Sequence, residues 1–203
     1  MDLIQKNFEY LCNTPSDINE HLPILKTLSK DCTSIAEFGV RGMVSTWAFL
    51  HGLTQNNSDE KKLLCVDIEN VDNVQAVINM AKKSGVDMKF VKQNSIDCEI
   101  PEVDMLFIDT WHIYGHLKRE LITHHKKVSK YIVMHDTEVD KEFGESIRCT
   151  MNIVEQSKTS GYPIMEIVLG LDQAIKEFLI DNPEWYLYKV YKNNNGLTIL
   201  KKR

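Results

Sequence analysis

From about residue 33 to residue 136 short apolar runs alternate with amphipathic stretches, and this alternation limits the possible folds more than any other feature of the chain. SIAEFGV (34–40), KLLCVDI (62–68), MKFVKQN (88–94), VDMLFID (103–109) and KYIVMHD (130–136) read as buried strands. Between them, STWAFLHGL (45–53), VDNVQAVINMAKKSG (71–85) and YGHLKRELITHHKKV (114–128) carry apolar residues at helical spacing. Gly52 and Gly85 are the expected stops of the first two helices. Repeated strand–helix–strand units predict a parallel sheet, and right-handed crossovers place helices on both of its faces. GLDQAIKEFLIDNP (170–183) is helical, and EWYLYKVYKNNNGLTILKK (184–202) reads as a hairpin around an Asn-Gly turn. The first thirty residues read as one or two helices, capped at Ser16 or Asp17, lying over the sheet edge. NNSDEKK (56–62) and KNNNG (192–196) are polar connectors and not domain linkers, so residues 1–203 form a single domain with a helical cap at 1–30.

Composition removes several functions. The net charge is -5, and the basic clusters Lys126-Lys127 and Lys201-Lys202-Arg203 are short, which argues against a nucleic-acid partner. No apolar run is long enough to span a bilayer, and an N-terminus carrying Asp2 does not resemble a signal peptide. Cys12, Cys32, Cys65, Cys98 and Cys149 are scattered, with no C-x-x-C pair. They read as reduced thiols, hence a cytoplasmic, reducing compartment.

Ligands of open α/β sheets bind beyond the carboxyl ends of the strands. The five strands deliver to that rim Glu37, Gly39 and Gly42; Asp67; Gln93, Asn94 and Ser95; Asp109 and His112; and His135 and Asp136. EFGVRG (37–42) allows close backbone approach before a helix N-terminus, although it is not G-x-G-x-x-G. Asp67 is placed either to accept ribose hydroxyls or to cap the following helix. Asp109 and Asp136 end neighbouring strands, so they share a cation or pair with Arg41, Arg119 or a lysine. An oxygen-rich pair of this kind suits Mg, Mn or Ca rather than Zn. His112, a turn beyond Asp109, is a candidate proton acceptor. A rival zinc set of His112, His116, Glu120 and His124-His125 lacks H-E-x-x-H, and THHKK reads as a solvated helix end.

These stretches resemble a class I S-adenosylmethionine-dependent methyltransferase, and the likeness covers nearly all of the chain. AEFGVRGMVST (36–46) resembles motif I, and VDI (66–68) resembles the acidic motif II. FIDTWHIYGHLKREL (107–121) with YIVMHDT (131–137) is similar to the branch that holds cephalosporin-hydroxylase-like proteins and metal-dependent sugar O-methyltransferases, including macrolide-sugar and rhamnosyl enzymes. The resemblance implies a Rossmann-like, doubly wound α/β sheet of seven strands in the order 3-2-1-4-5-7-6, the last antiparallel, with helices on both faces. It implies S-adenosylmethionine as cofactor, bound by Glu37, Gly39, Arg41, Gly42, Ser45, Asp67, Ile68, Asn94, Ser95, Asp109 and Trp111. It implies a divalent metal, Mg or Mn, on Asp109 and Asp136 with His135 beside them, and catalysis by His112 and Asp109. Arg41 departs from the glycine-rich turn, and His135 stands where relatives often carry Glu. His112 stands where catechol-type enzymes carry Lys, which disfavours a catechol.

The expected activity is methyl transfer to a sugar hydroxyl, with rhamnose on a glycan as the favoured example. The alternatives are a phenol-type small-molecule O-methyltransferase, or a non-catalytic module of a glycan-building assembly. Trp47, Trp111, Tyr114, Trp185 and Tyr186 are aromatics that could stack on a sugar or fill the core. The Asn/Asp-Pro-Pro-Tyr mark of nucleic-acid base methylation is absent. The sequence does not fix the oligomeric state.

Overall fold

The computed structural model describes residues 2–203. Its seven-stranded sheet consists of β1 (Ser34–Phe38), β2 (Lys62–Asp67), β3 (Asp87–Lys92), β4 (Val103–Ile108), β5 (Val128–His135), β6 (Trp185–Tyr191) and β7 (Leu197–Lys202). The spatial order is β3-β2-β1-β4-β5-β7-β6, and β7 runs antiparallel to both of its neighbours. The strand order reverses direction at β1, which opens a crevice between the β1 and β4 ends. The hairpin turn uses left-handed backbone at Asn194 (φ 47°), Asn195 (φ 68°) and Gly196 (φ 99°).

The helices are α1 (Leu3–Cys12), α2 (Leu22–Lys30), α3 (Val44–Thr54), α4 (Val74–Lys83), α5 (Tyr114–His124), α6 (Glu145–Arg148), α7 (Ile153–Ser160), α8 (Ile164–Val168) and α9 (Leu171–Asp181). Strand side chains alternate between faces, so each strand feeds two cores. Ile35, Cys65, Met105, Phe107 and Val133 pack with Ile4, Leu22, Leu25, Phe49 and Leu53 from α1, α2 and α3. Ala36, Phe38, Leu106, Ile108 and Ile132 pack on the opposite face with Leu117, Leu121, Ile175 and Phe178 from α5 and α9. Each such fully buried aliphatic or aromatic side chain contributes about 1.5–3 kcal/mol. Phe49 meets Phe107 edge-on at 5.2 Å, which locks α3 onto β4.

Several expectations need correction. The N-terminal helices do not sit over a sheet edge; they cover a face, because α1 and α2 present Ile4, Leu22 and Leu25 to α3 and the sheet. Gly52 does not stop α3, which runs on to Thr54. A Cβ at Gly52 would lie 2.4 Å from the Ser29 Cβ and 2.5 Å from the Lys26 carbonyl oxygen, so the glycine lets α2 cross closely. His124 and His125 are buried, not solvated. His124 Nε2 lies 2.8 Å from the Ser95 carbonyl, and His125 packs edge-on against Phe178. The three short helices α6, α7 and α8 fill residues 145–168, a stretch whose apolar residues lack a helical period. Among the described residues no helix is long and apolar enough to cross a membrane. All five cysteines are unpaired thiols.

Candidate active site

The β1–α3 turn begins with Gly39, whose φ of +82° suits only a residue without a Cβ. A Cβ there would stand 1.8 Å from the Asp109 carbonyl oxygen, so the turn is pressed against the end of β4. Arg41 (φ 39°) and Met43 (φ 60°) also take left-handed backbone. Gly42 is different: a Cβ would meet nothing closer than Val44 Cγ2 at 3.9 Å. Its role is open space beside the cleft and not a local clash. The first turn of α3 has no side-chain cap, which leaves its amide groups available to an anion.

Asp67 holds this turn in place. Its Oδ2 accepts the Val40 and Arg41 amides at 2.8 and 2.9 Å, and its Oδ1 accepts the Glu69 amide at 2.9 Å. A cleft of about 920 Å³ opens above these residues, at the upper end of the ~300–1,000 Å³ range of small-molecule sites. Gly39, Arg41, Gly42, Ser45, Asp67, Ile68, Asn94, Ser95, Asp109, Trp111, His112 and Asp136 all line it. Ile68 is 63% exposed, an apolar side chain left facing the opening.

Glu37 and His135 stand elsewhere. Glu37 shares the α3-facing side of β1 with Ile35 and is fully buried behind the turn. Its carboxylate accepts the hydroxyls of Ser45 and Thr46 and the thiol of Cys65. Burial pushes its pKa up to about 7 despite these bonds. It therefore supports the cleft from behind and does not line it. His135 is 1% exposed and lies under the carboxylates. Its Nδ1 is 3.3 Å from Asp109 Oδ1, and its Nε2 is 3.2 Å from the Asn194 carbonyl. In place of His135, His112 joins Asp109 and Asp136 in a group whose ligand atoms lie within 4.8 Å of one another.

His112 is the centre of the polar cluster. Its Nε2 is 3.0 Å from Asp109 Oδ1. Its Nδ1 is 2.8 Å from Glu145 Oε2, 3.0 Å from Asp136 Oδ2 and 3.5 Å from Asp140 Oδ2. Burial alone would depress this imidazole, but the hydrogen bond to Asp109 and the nearby carboxylates of Asp140 and Glu145 lift its pKa well above the ordinary value. Burial likewise opposes ionisation of Asp109, yet His112 and His135 hold it well below the usual carboxylate range. Asp136 goes the other way: burial raises it, with the two histidines opposing. Asp136 Oδ1 and His112 Nδ1 are buried without an aligned hydrogen-bond partner, and Asp136 has φ 57°, a strained backbone for a non-glycine. Asp109 and Asp136 do not pair with arginine: Arg41 bridges to Asp17 and Arg119 to Glu166.

The sequence did not single out Glu145, Asp140 or Tyr162. Glu145 also accepts the His112 backbone amide at 3.2 Å. Asp140 is fully buried and forms a two-point pair with Arg148 at 2.6 and 2.8 Å. An acidic residue four and nine positions after Asp136 was the available signal, but it has no meaning until the chain turns back over His112. The rival zinc set does not assemble: His116 and Glu120 are 3.4 Å apart, but His112 turns to Asp109, His124 to the Ser95 carbonyl and His125 to Phe178. Of the five aromatics considered for stacking, only Trp111 lines the cleft. Trp185 and Tyr114 are core residues, Trp47 packs against the core, and Tyr186 sits on the distal edge strand.

No protein-family model matches the chain, and no curated protein does. Solved structures do. An SAH-bound methyltransferase from Podospora anserina superposes with a TM-score of 0.58 at 13% identity, covering 100% of this chain and 88% of the other. An O-methyltransferase from Bacillus cereus in complex with SAH gives 0.57 at 15% identity, covering 98% and 90%. A magnesium protoporphyrin IX methyltransferase from Synechocystis with bound SAH gives 0.57 at 11% identity, covering 97% and 92%. At these identities the likeness is one of fold: the chain has the Rossmann-like, seven-stranded class I methyltransferase fold.

Proposed function

We propose that this protein is an S-adenosylmethionine-dependent O-methyltransferase that acts on a hydroxyl of a sugar, with His112 as the proton acceptor. The observation that carries this reading is the meeting of two features in one cleft: the Gly39 turn pinned by Asp67, and the His112 cluster on β4 and β5. Three structures of this fold are described as holding SAH, which supports the same donor here. The residues also fit it. The uncapped α3 N-terminus suits a carboxylate, Asp67 suits a diol, and the open space at Gly42 suits a close backbone approach.

The cofactor supplies an electrophilic methyl group on a sulfonium. Asp109, at the meeting point of the turn and the His112 cluster, places negative charge beside that cation. The chain must then hold an acceptor oxygen in line and take its proton. His112 is the group within reach, and Asp109 and Glu145 fix its ring from opposite sides. Four surrounding acids favour its protonated form, and a cation that shared their charge would free it to accept a proton. The orphaned Asp136 oxygen beside Asp109 fits such a cation, and a pair of carboxylate oxygens suits Mg or Mn while leaving His112 to take the proton. A divalent ion bound there would neutralise the acids and acidify a coordinated hydroxyl.

The test is calorimetry with SAH followed by turnover with labelled S-adenosylmethionine, Mn or Mg, and a panel of glycans and phenols. Asp67→Ala is expected to weaken SAH binding by about 10-fold or more, because the acid both sets the turn and faces the ligand. Wild-type affinity in Asp67→Ala would refute the cofactor placement. Turnover unchanged by a chelator would remove the metal. SAH binding without methylation of any acceptor would favour the non-catalytic alternative.

A further inference from the structure

The α7 helix walls one side of the cleft, yet little attaches it to the fold. Gln156, Thr159 and Ser160 line the cleft. No residue of α7 is buried, and none of residues 150–161 belongs to either core cluster. Its hydrogen bonds stay local. The Glu155 amide donates to Asn152 Oδ1 at 3.1 Å, and Ser157 Oγ donates to the Tyr162 carbonyl at 2.6 Å. Thr159 Oγ1 and Ser160 Oγ donate back to the Glu155 and Gln156 carbonyls at 3.0 and 2.6 Å. Among the described residues, every hydrogen-bond partner of the segment 150–161 lies within residues 146–162. An eight-residue helix without a buried face is marginal by itself. It can open locally while the sheet stays folded.

The chain on either side of α7 is firmly held. Before it, Arg148 makes its two-point pair with buried Asp140, and the Glu145 amide donates to the His112 carbonyl at 2.9 Å. After it, the Tyr162 ring stacks on Trp111 with centroids 5.8 Å apart, and the Arg119 guanidinium covers the same ring at 4.2 Å. Just inside these anchors stand two left-handed residues, Thr150 (φ 51°) and Gly161 (φ 74°). A β-branched residue is out of place in that region, so Thr150 marks a point where the backbone is forced to turn. At Gly161 a Cβ would meet nothing within 4 Å, so this turn has free room around it. The helix is thus a short rod between two pivots, and lid hinges are a few such terminal residues that absorb a change in φ and ψ. Its inner side also carries an unused group: Gln156 Oε1 has no hydrogen-bond partner although solvent does not reach it.

We propose that residues 150–161 form a lid that pivots at Thr150 and Gly161 and closes over the occupied cleft. This rests on the donor reading above, which supplies the occupant. Closure brings Gln156, Thr159 and Ser160 onto the bound molecule and shuts water out of the site. The anchors at Arg148 and Tyr162 stay in place, so the movement leaves the His112 cluster and the Gly39 turn undisturbed.

Hydrogen exchange of the wild-type protein, read by mass spectrometry with and without SAH, tests the lid. In the free protein the α7 amides are expected to exchange at least roughly 100-fold faster than those of α5 and α9, because only local contacts hold them. Saturating SAH is expected to slow them by about 10-fold or more, through its preference for the closed form. Strand β6, at the far edge of the sheet, is the control and should not change. Exchange in α7 of the free protein as slow as in α5 would overturn the lid. Exchange in α7 unchanged by SAH that calorimetry shows to be bound would also overturn it, while leaving the donor site intact. Failure of SAH to bind would instead overturn the donor reading, and the lid with it.

Discussion

Replacing Gly39 with alanine tests the element on which the cleft is built. The new Cβ would be placed 1.8 Å from the Asp109 carbonyl oxygen and 2.6 Å from its carbonyl carbon. The obstacle is backbone, and it cannot retreat freely. The Asp109 amide donates to the Phe38 carbonyl at 2.9 Å, so the ends of β1 and β4 are already tied together. Relief requires that bond to open, at ~0.5–1.5 kcal/mol, and an overpacked site to expand, at ~1–3 kcal/mol. The left-handed φ of +82° adds ~1–2 kcal/mol for any residue with a Cβ. The total is about 2.5–6.5 kcal/mol, or a fall in Tm of at least about 5 °C for a domain of this size. Gly42→Ala is the matched control, since its Cβ would have 3.9 Å of clearance and no strained φ. It should change stability by less than about 1 kcal/mol while weakening SAH binding, because it fills space at the ligand and not in the fold. Thermal unfolding and SAH calorimetry on both variants separate the two effects. A Gly39→Ala protein with the wild-type Tm would refute the close-approach argument.

Two further perturbations probe the acids and the imidazole. Glu37 has a folded-state pKa raised to about 7 by burial, above its unfolded value of 4.5. The unfolded chain releases this proton first, so the group's contribution is complete below about pH 4.5 and falls as pH rises to about 7. The loss is on the order of 3 kcal/mol, and denaturant titrations of Glu37→Gln against wild type across that window should show the slope disappear. An identical slope in the variant would refute the assignment to Glu37. His112→Ala should lower turnover by roughly 100-fold or more, the scale of a lost general base, with SAH affinity retained; full activity would exclude His112 as proton acceptor.

The order of strands and helices, the polar rim and the carboxyl-edge site were readable from local pattern. Period two and period 3.6 are set by backbone geometry within a few residues, and the alternation of elements then leaves few topologies. Gly39, Asp67, Asp109 and His112 were legible for the same reason, because each follows directly from where a strand ends. What tertiary structure alone decided is which of these groups touch. Glu37 and Asp67 look alike as strand-end acids. Yet alternation turns Glu37 inward to Ser45 and Thr46, while Asp67 bonds to the turn on the cleft side. His112 was expected as a free base but is ringed by acids, because residues 137–148 double back and bring Asp140 and Glu145 from a stretch without periodicity. Gly52 read as a helix stop and proved to be the crossing point of α2, a contact made across more than twenty residues of chain. Propensity and periodicity act over one or two turns of chain, whereas the charge on an imidazole or the room beside a glycine is set by neighbours that only folding brings near.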